Sequence, residues 1–262
     1  MYPDLLKIPF FESLYIHTYG AMVALAFLAG TIWVYYESKR LGQDPDKGLD
    51  LVFYILIAAI LGSRVLHVLV SERDLFLQNP LMILDVRSGL VFYGGVIGAV
   101  LAGWIYIRKH KLNFWLYVDI FAPGVPLGHM FGRIGCLSAG CCYGKAILEP
   151  HWWTIIFPPH EHCFAPVGIP LFPTQIVSSL ANLCIFLGLF FLRKHKRFSG
   201  QMIATYMIVY GTFRIIIEEF RGDSVRGFIF DGLLSTSQFI AILMVLMGVT
   251  FYILRWNKKL EL

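Results

Sequence analysis

Long apolar stretches separated by short polar connectors recur along the whole chain. Seven windows stand out, at about 18–36, 51–70, 90–107, 114–135, 175–192, 202–220 and 233–254. Each is close to the roughly 20 residues that a helix rising about 1.5 Å per residue needs to cross the ~30 Å hydrocarbon core of a bilayer. The pattern predicts an all-α membrane protein: a seven-helix transmembrane bundle forming a single polytopic domain over residues 1–262, without linker or low-complexity tract. The longest connector, 145–172, contains five prolines together with Trp152 and Trp153, and reads as a surface loop or a short interfacial helix.

Basic residues alternate between connectors. The richer set holds Lys39, Arg40 and Lys47; Arg108, Lys109 and Lys111; Arg193, Lys194, Lys196 and Arg197; and Arg255, Lys258 and Lys259. The poorer set holds Arg73 and Arg87, then Lys145, then Arg221 and Arg226. Because cytoplasmic connectors carry the excess of Lys and Arg, the N-terminus is expected outside, the C-terminus in the cytoplasm and the 145–172 loop outside. Residues 1–17 lack the basic start, apolar middle and cleavage site of a secretory signal, so the first helix is expected to stay in the mature protein.

Composition agrees. Apolar residues make up 57% of the chain and charged ones only 15%, against about 25% charged in an average soluble domain. The formal net charge of +5 would suggest nucleic acid in a soluble protein. Here most of the positive charge sits in a few connectors and reads as an orientation signal, so no nucleic-acid partner is expected.

Three arginines break the apolar windows: Arg64 in the second, Arg133 in the fourth and Arg214 in the sixth. An arginine at the centre of a lone helix costs from about 2.5 to over 10 kcal/mol, so such residues face a partner, a bundle interior or a wet cavity. Under the assigned topology Arg64 and Arg214 lie roughly 20 Å from the inner ends of their spans, with Arg133 further out. Tyr19 and Tyr93 fall in the same outer half. An anionic lipid is the natural ligand for such a layer. Snorkelling or a structural ion pair is the competing explanation, strongest for Arg64, and Glu218, four residues after Arg214, has the spacing of an intrahelical partner. Gly124, Gly128 and Gly132, and Gly94, Gly95, Gly98 and Gly103, are read chiefly as close helix packing. Pro123 and Pro126 should loosen the fourth helix just before Arg133.

The five cysteines, Cys136, Cys141, Cys142, Cys163 and Cys184, are odd in number and without repeating spacing, and establish no disulfide framework. A metal site joining Cys136, Cys141 and Cys142 to His160 and His162 matches no standard zinc spacing. A disulfide from Cys141 or Cys142 to Cys163 is preferred over it.

The run Gly132-Arg133-Ile134-Gly135-Cys136-Leu137-Ser138-Ala139-Gly140-Cys141-Cys142-Tyr143-Gly144 resembles the signature of the bacterial prolipoprotein diacylglyceryl transferases, G-R-x-G-N-F-x-N-G-E-x-x-G. Further resemblances follow in family order: Tyr19-Gly20; Gly62-Ser63-Arg64; Ser88-Gly89-Leu90-Val91-Phe92-Tyr93-Gly94-Gly95; Phe172-Pro173-Thr174-Gln175; Arg214 to Glu218; and Ser235 to Gln238. Tyr93 stands where the family has His, and Cys136 and Cys141 where its signature has Asn and Glu.

The resemblance implies a bacterial inner-membrane, multi-pass enzyme that moves the diacylglyceryl group of phosphatidylglycerol onto the lipobox cysteine thiol of a prolipoprotein signal peptide. A thioether forms and glycerol phosphate leaves. It also implies catalytic roles for Arg133, Arg214 and Tyr93, and substrate binding by Arg133, Tyr19, Arg64, Gly94, Gly95, Gly144, Glu218, Gln175 and Gln238, with no metal and no cofactor. Guanidinium suits the phosphate, being always charged and able to form paired hydrogen bonds. A phenol is a poor base at neutral pH, so Tyr93 is expected to orient substrate while the thiol loses its proton to water, phosphate or a shifted Tyr93. His129 and His67 are alternative bases, although a histidine hydrogen-bonded between helices is the plainer reading of each. The rival functions are a non-catalytic relative that only binds phospholipid or signal peptides, and a transporter, for which no internal repeat is found.

Overall fold

The structure is a computed structural model that describes residues 4–7, 15–85, 89–223, 227–230 and 232–256. Arg87, Ser88, Arg226, Lys258 and Lys259 lie outside the described residues, as do 1–3 and 8–14 of the N-terminal segment.

All seven apolar windows are helical. They correspond to α1 (Thr18–Arg40), α2 (Pro45–Ser71), α4 (Phe92–Lys109), the pair α5 (Phe114–Phe121) and α6 (Gly124–Ala139), α7 (Thr174–Leu192), α8 (Gln201–Glu218) and α9 (Thr236–Arg255). A short α3 (Arg73–Gln78) and a 3₁₀ turn (Pro80–Leu84) follow α2 and were not expected. Among the described residues α1, α2, α7 and α9 are long and apolar enough to cross a membrane. Large apolar side chains such as Leu28, Phe53, Leu61, Phe191, Leu246 and Ile253 are exposed on them, as expected of surfaces solvated by lipid rather than water.

The fourth window is a correction: it is two helices, not one. Pro123 has no N–H to continue the ladder, and the chain turns at Ala122 and Pro123. The indole Nε1 of Trp33 donates to the Ile120 carbonyl at 2.8 Å, satisfying an acceptor at this interruption.

Two compact units are distinguished, residues 34–117 and residues 1–33 with 118–262. In the first, α2 begins at Asp44, whose side chain accepts from the Asp46 N–H, with Pro45 in the first turn. It packs along α4 through small residues. A Cβ at Gly94 would lie 2.2 Å from the Gly62 carbonyl oxygen, and one at Gly98 would lie 2.3 Å from that of Ala58. The spacing Ala58-x-x-x-Gly62 against Gly94-x-x-x-Gly98 lets two backbones touch where any side chain would hold them apart.

The second unit opens with β1 (Asp4–Lys7) paired antiparallel to β2 (Tyr15–His17). Its helices α6 to α9 pack in sequence order, with Ala122, Ile185, Leu189, Met202 and Tyr206 at one core. Gly211 lies against α9, where a Cβ would meet Val245 Cγ2 at 2.7 Å. Asp119, buried in α5, starts α8: it accepts from the N–H groups of Gly200 at 2.8 Å and Met202 at 3.0 Å and pairs with Lys196 at 3.4 Å. A carboxylate at a helix N-terminus satisfies donors that have no helical acceptor and complements their partial positive charge. Asp119→Asn is therefore expected to cost about 1 to 2 kcal/mol, read as a lower thermal unfolding midpoint in detergent. Ser235 and Gln238 form a reciprocal cap on α9.

The 145–172 connector folds rather than forming a plain loop or an interfacial helix. Its strands β3 (Ile155–Ile156) and β4 (Pro170–Leu171) pair antiparallel, and Ile155, Phe157, Ala165 and Leu171 form a small core of their own. Trp152 is fully exposed. His160 and His162 belong with the N-terminal hairpin: His162 Nδ1 lies 2.9 Å and His17 Nδ1 2.7 Å from the Asp4 carboxylate. Burial pushes the Asp4 carboxyl upward, but the hydrogen bonds from His162 and His17 outweigh it and hold the group below its ordinary range.

Candidate functional site

Helix α6 places His129, Arg133 and Cys136 four and three residues apart, on one face. Helix α8 does the same with Tyr206, Tyr210, Arg214 and Glu218. Both belong to the larger unit, as do α7 and α9. His129 is held between helices: its Nδ1 is 3.5 Å from the Tyr206 hydroxyl, its ring lies against Tyr210 at 5.2 Å, and Asn182 of α7 is close by.

Arg214 pairs with Glu218 at 2.7 Å and donates to Ser237 Oγ at 2.9 Å. Arg221, one turn past Glu218, is buried and held by both carboxylate oxygens of Asp223. Arg133 lies close enough to both arginines, and to Cys136, Cys142 and Tyr210, to interact electrostatically. Among the described residues it has neither a hydrogen bond nor an ion pair. Three guanidinium groups thus converge while two carboxylates, Glu218 and Asp223, compensate them. The half-buried surplus of positive charge suits an anion with several oxygens.

The turn after α6 is fixed from two sides. Gly140, at φ 69°, ends the helix in the left-handed conformation, and the N–H groups of Gly140 and Cys141 return to the carbonyls of Leu137 and Cys136. From α7, buried Gln175 donates to the Cys141 carbonyl at 2.9 Å and Thr174 to that of Cys142 at 2.7 Å. Gly144 is then threaded between two segments, because Lys145 N–H bonds the Phe220 carbonyl and Phe172 N–H bonds that of Lys145. A Cβ on Gly144 would meet the Phe172 carbonyl oxygen at 2.3 Å. Gly144→Ala should destabilise the protein by about 2 kcal/mol, measured as a drop in unfolding temperature in detergent.

Other residues expected at the site have these positions. Tyr19 is exposed and packs beside Gly135, where a Cβ would reach its ring at 3.2 Å. Gln238 caps α9 and hydrogen-bonds Glu219. Arg64, Tyr93, Gly94 and Gly95 belong to the smaller unit. Arg64 is 2% exposed and engaged by Glu72 at 3.1 Å and by the carbonyls of Met82, Ile83 and Gly89, tying the 3₁₀ turn to α2. His67 lies under Gly89, 3.6 Å from Glu72. Gly94 and Gly95 are buried in the contact of α2 and α4, whereas Tyr93 is exposed at the start of α4.

The preference for a disulfide to Cys163 is corrected: all five cysteines are free. The helix-ending turn folds Cys141 and Cys142 back toward Cys136, while Cys163 lies against Gly140. Arg221 was missed, having been counted as a connector charge; its spacing of seven from Arg214, two helical turns, was the available signal.

The sequence model of the family described as prolipoprotein diacylglyceryl transferase matches residues 5–254. A phosphatidylglycerol--prolipoprotein diacylglyceryl transferase of Clostridium tetani is 38% identical over 249 residues, covering 94% of this chain and 96% of its own. The protein named transferase 2 of this kind in Clostridium perfringens is 36% identical over 92% of this chain and 91% of its own. One from Acinetobacter baumannii is 34% identical over 94% and 91% respectively. With the match running through every helix that carries the arginine cluster, the chain belongs to the prolipoprotein diacylglyceryl transferase family.

Proposed function

We propose that this protein transfers the diacylglyceryl group of phosphatidylglycerol to the lipobox cysteine thiol of prolipoprotein signal peptides, the first step of lipoprotein maturation. It does so as a multi-pass protein of the bacterial inner membrane, with seven spans, the N-terminus outside, the C-terminus cytoplasmic and the 145–172 segment external. The alternation of basic connectors supports that orientation.

The observation that carries the activity is Arg133: a guanidinium without a protein partner among the described residues, set beside Arg214 and Arg221. In the reaction the thiol sulfur forms a bond to the glyceryl carbon. The bond from that carbon to the phosphate oxygen breaks, and its electron pair leaves with glycerol phosphate. Negative charge therefore grows on the phosphate as the transition state is reached. Arg133 and Arg214 stabilise that charge, and Glu218, paired with Arg214, fixes the direction of its guanidinium. The thiol proton passes to water, to phosphate or to Tyr93; His129, held between helices beside two guanidinium groups, is a poor acceptor, because neighbouring positive charge opposes its protonation.

Tyr93 is assigned to substrate orientation. Tyr93→Phe should lower turnover about tenfold, the worth of one hydrogen bond near 1.4 kcal/mol; full activity would remove Tyr93 from the chemistry. The reading as a whole is tested with purified protein, phosphatidylglycerol and a lipobox peptide. The expected product is a peptide heavier by one diacylglyceryl group. Binding of lipid and peptide without that product, or failure to lipidate a precursor in cells depleted of the enzyme, would leave only a non-catalytic binder.

A further inference from the structure

Cys136, Cys141 and Cys142 place their three sulfur atoms within 4.8 Å of one another. The arrangement follows from the backbone. Gly140 in the left-handed conformation reverses the chain, the Cys141 N–H returns to the Cys136 carbonyl, and Cys142 at φ 58° turns its side chain the same way. Such a φ is uncommon for a residue with a Cβ, and the buried side chains of Gln175 and Thr174 hold the carbonyls of Cys141 and Cys142 in place. All three thiols are partly buried.

We infer that Cys136, Cys141 and Cys142 form a three-thiolate site for a soft divalent cation such as zinc or cadmium. Zinc–sulfur bonds of ~2.3 Å in tetrahedral geometry need sulfurs roughly 3.8 Å apart, so closing on an ion asks for a contraction of at most about 1 Å from sulfurs that lie within 4.8 Å of one another. Each thiol releases its proton to solvent as its sulfur binds, and the fourth position is open to water. A divalent cation with three thiolates carries a net charge of −1. Arg133 and Arg221, both neighbours of Cys142, lie where they neutralise it. The ion therefore competes for the guanidinium assigned to lipid phosphate. This regulatory consequence rests on the transferase reading; the binding site does not.

The test titrates cadmium into the purified full chain in detergent under a phosphine reductant and follows the ultraviolet thiolate-to-cadmium charge-transfer band. One equivalent should saturate the band. Cys136→Ser, Cys141→Ser and Cys142→Ser should each weaken binding at least tenfold, while Cys163→Ser and Cys184→Ser should leave it unchanged. Circular dichroism of each variant separates loss of ligands from loss of fold. A missing band, or one that survives the first three substitutions in folded protein, overturns the site. Cadmium should also slow lipid transfer, with chelator restoring it; saturation that leaves transfer untouched overturns the competition. A chain that takes up one cadmium but never transfers lipid refutes the enzymatic reading alone, and one that transfers lipid but shows no band refutes the metal site alone.

Discussion

Replacing Arg133 with alanine is expected to lower kcat/KM for diacylglyceryl transfer by about a hundred- to a thousandfold, the usual loss when one preorganised donor to a developing anion is removed. Its lack of protein partners among the described residues makes this the cleanest test of the site. Truncation strands no carboxylate, so the unfolding temperature should hardly move. Arg214 is different. Arg214→Ala should be equally inactive, but it also removes the 2.7 Å ion pair to Glu218, whose side chain is 1% exposed, and stability should fall as well. Arg133→Lys should recover little, because a compact ammonium cannot make the paired contact of a guanidinium. Initial rates with phosphatidylglycerol and a lipobox peptide measure all three variants. An Arg133→Ala protein retaining a tenth of wild-type kcat/KM would take the phosphate away from this residue.

The largest structural effect is expected at Gly94. Even the Cβ of alanine would fall 2.2 Å from the Gly62 carbonyl oxygen and 2.6 Å from Leu66 Cβ. The first obstacle is backbone, which cannot rotate aside. Gly94→Val should force α2 and α4 apart and cost at least ~3 kcal/mol, the upper end for overpacking. Thermal unfolding in detergent and the yield of folded protein report it. Gly103→Ala on the same helix is the control: its Cβ meets only Ile55 side-chain carbons, at 3.6 Å or more, and it should fold normally. Equal stability of Gly94→Val and wild type would mean that the two backbones are not in contact.

Helix positions were legible because a bilayer imposes a length on apolar segments, and all seven windows are helical. The break within 114–135 was half visible: Pro123 announced a loosening, but whether proline bends a helix or ends it depends on neighbours such as Trp33. The folding of 145–172 was hidden, since strands of two residues leave no periodicity to read. At the site, Arg133 and Arg214 could be found because charge in an apolar window needs a reason. Arg221 was harder to see, because at the end of a helix charge is ordinary and only its spacing of seven from Arg214 set it apart. Spacing alone could not show what Gly144 and Gln175 touch within the protein; the close backbone crossing at Gly144 and the hydrogen bond from Gln175 to Cys141 emerge only in three dimensions.

The indole of Trp33 has a consequence for hydration. Irregular backbone at membrane depth commonly draws in water to satisfy its polar groups, yet the Ile120 carbonyl at the end of α5 already receives the Trp33 N–H. The interruption before α6 can therefore stay dry at that carbonyl. The stretch that follows packs Gly124 against Trp33 and Gly128 against Ala26, so the polar groups left to draw solvent toward α6 are those of its arginine-bearing end.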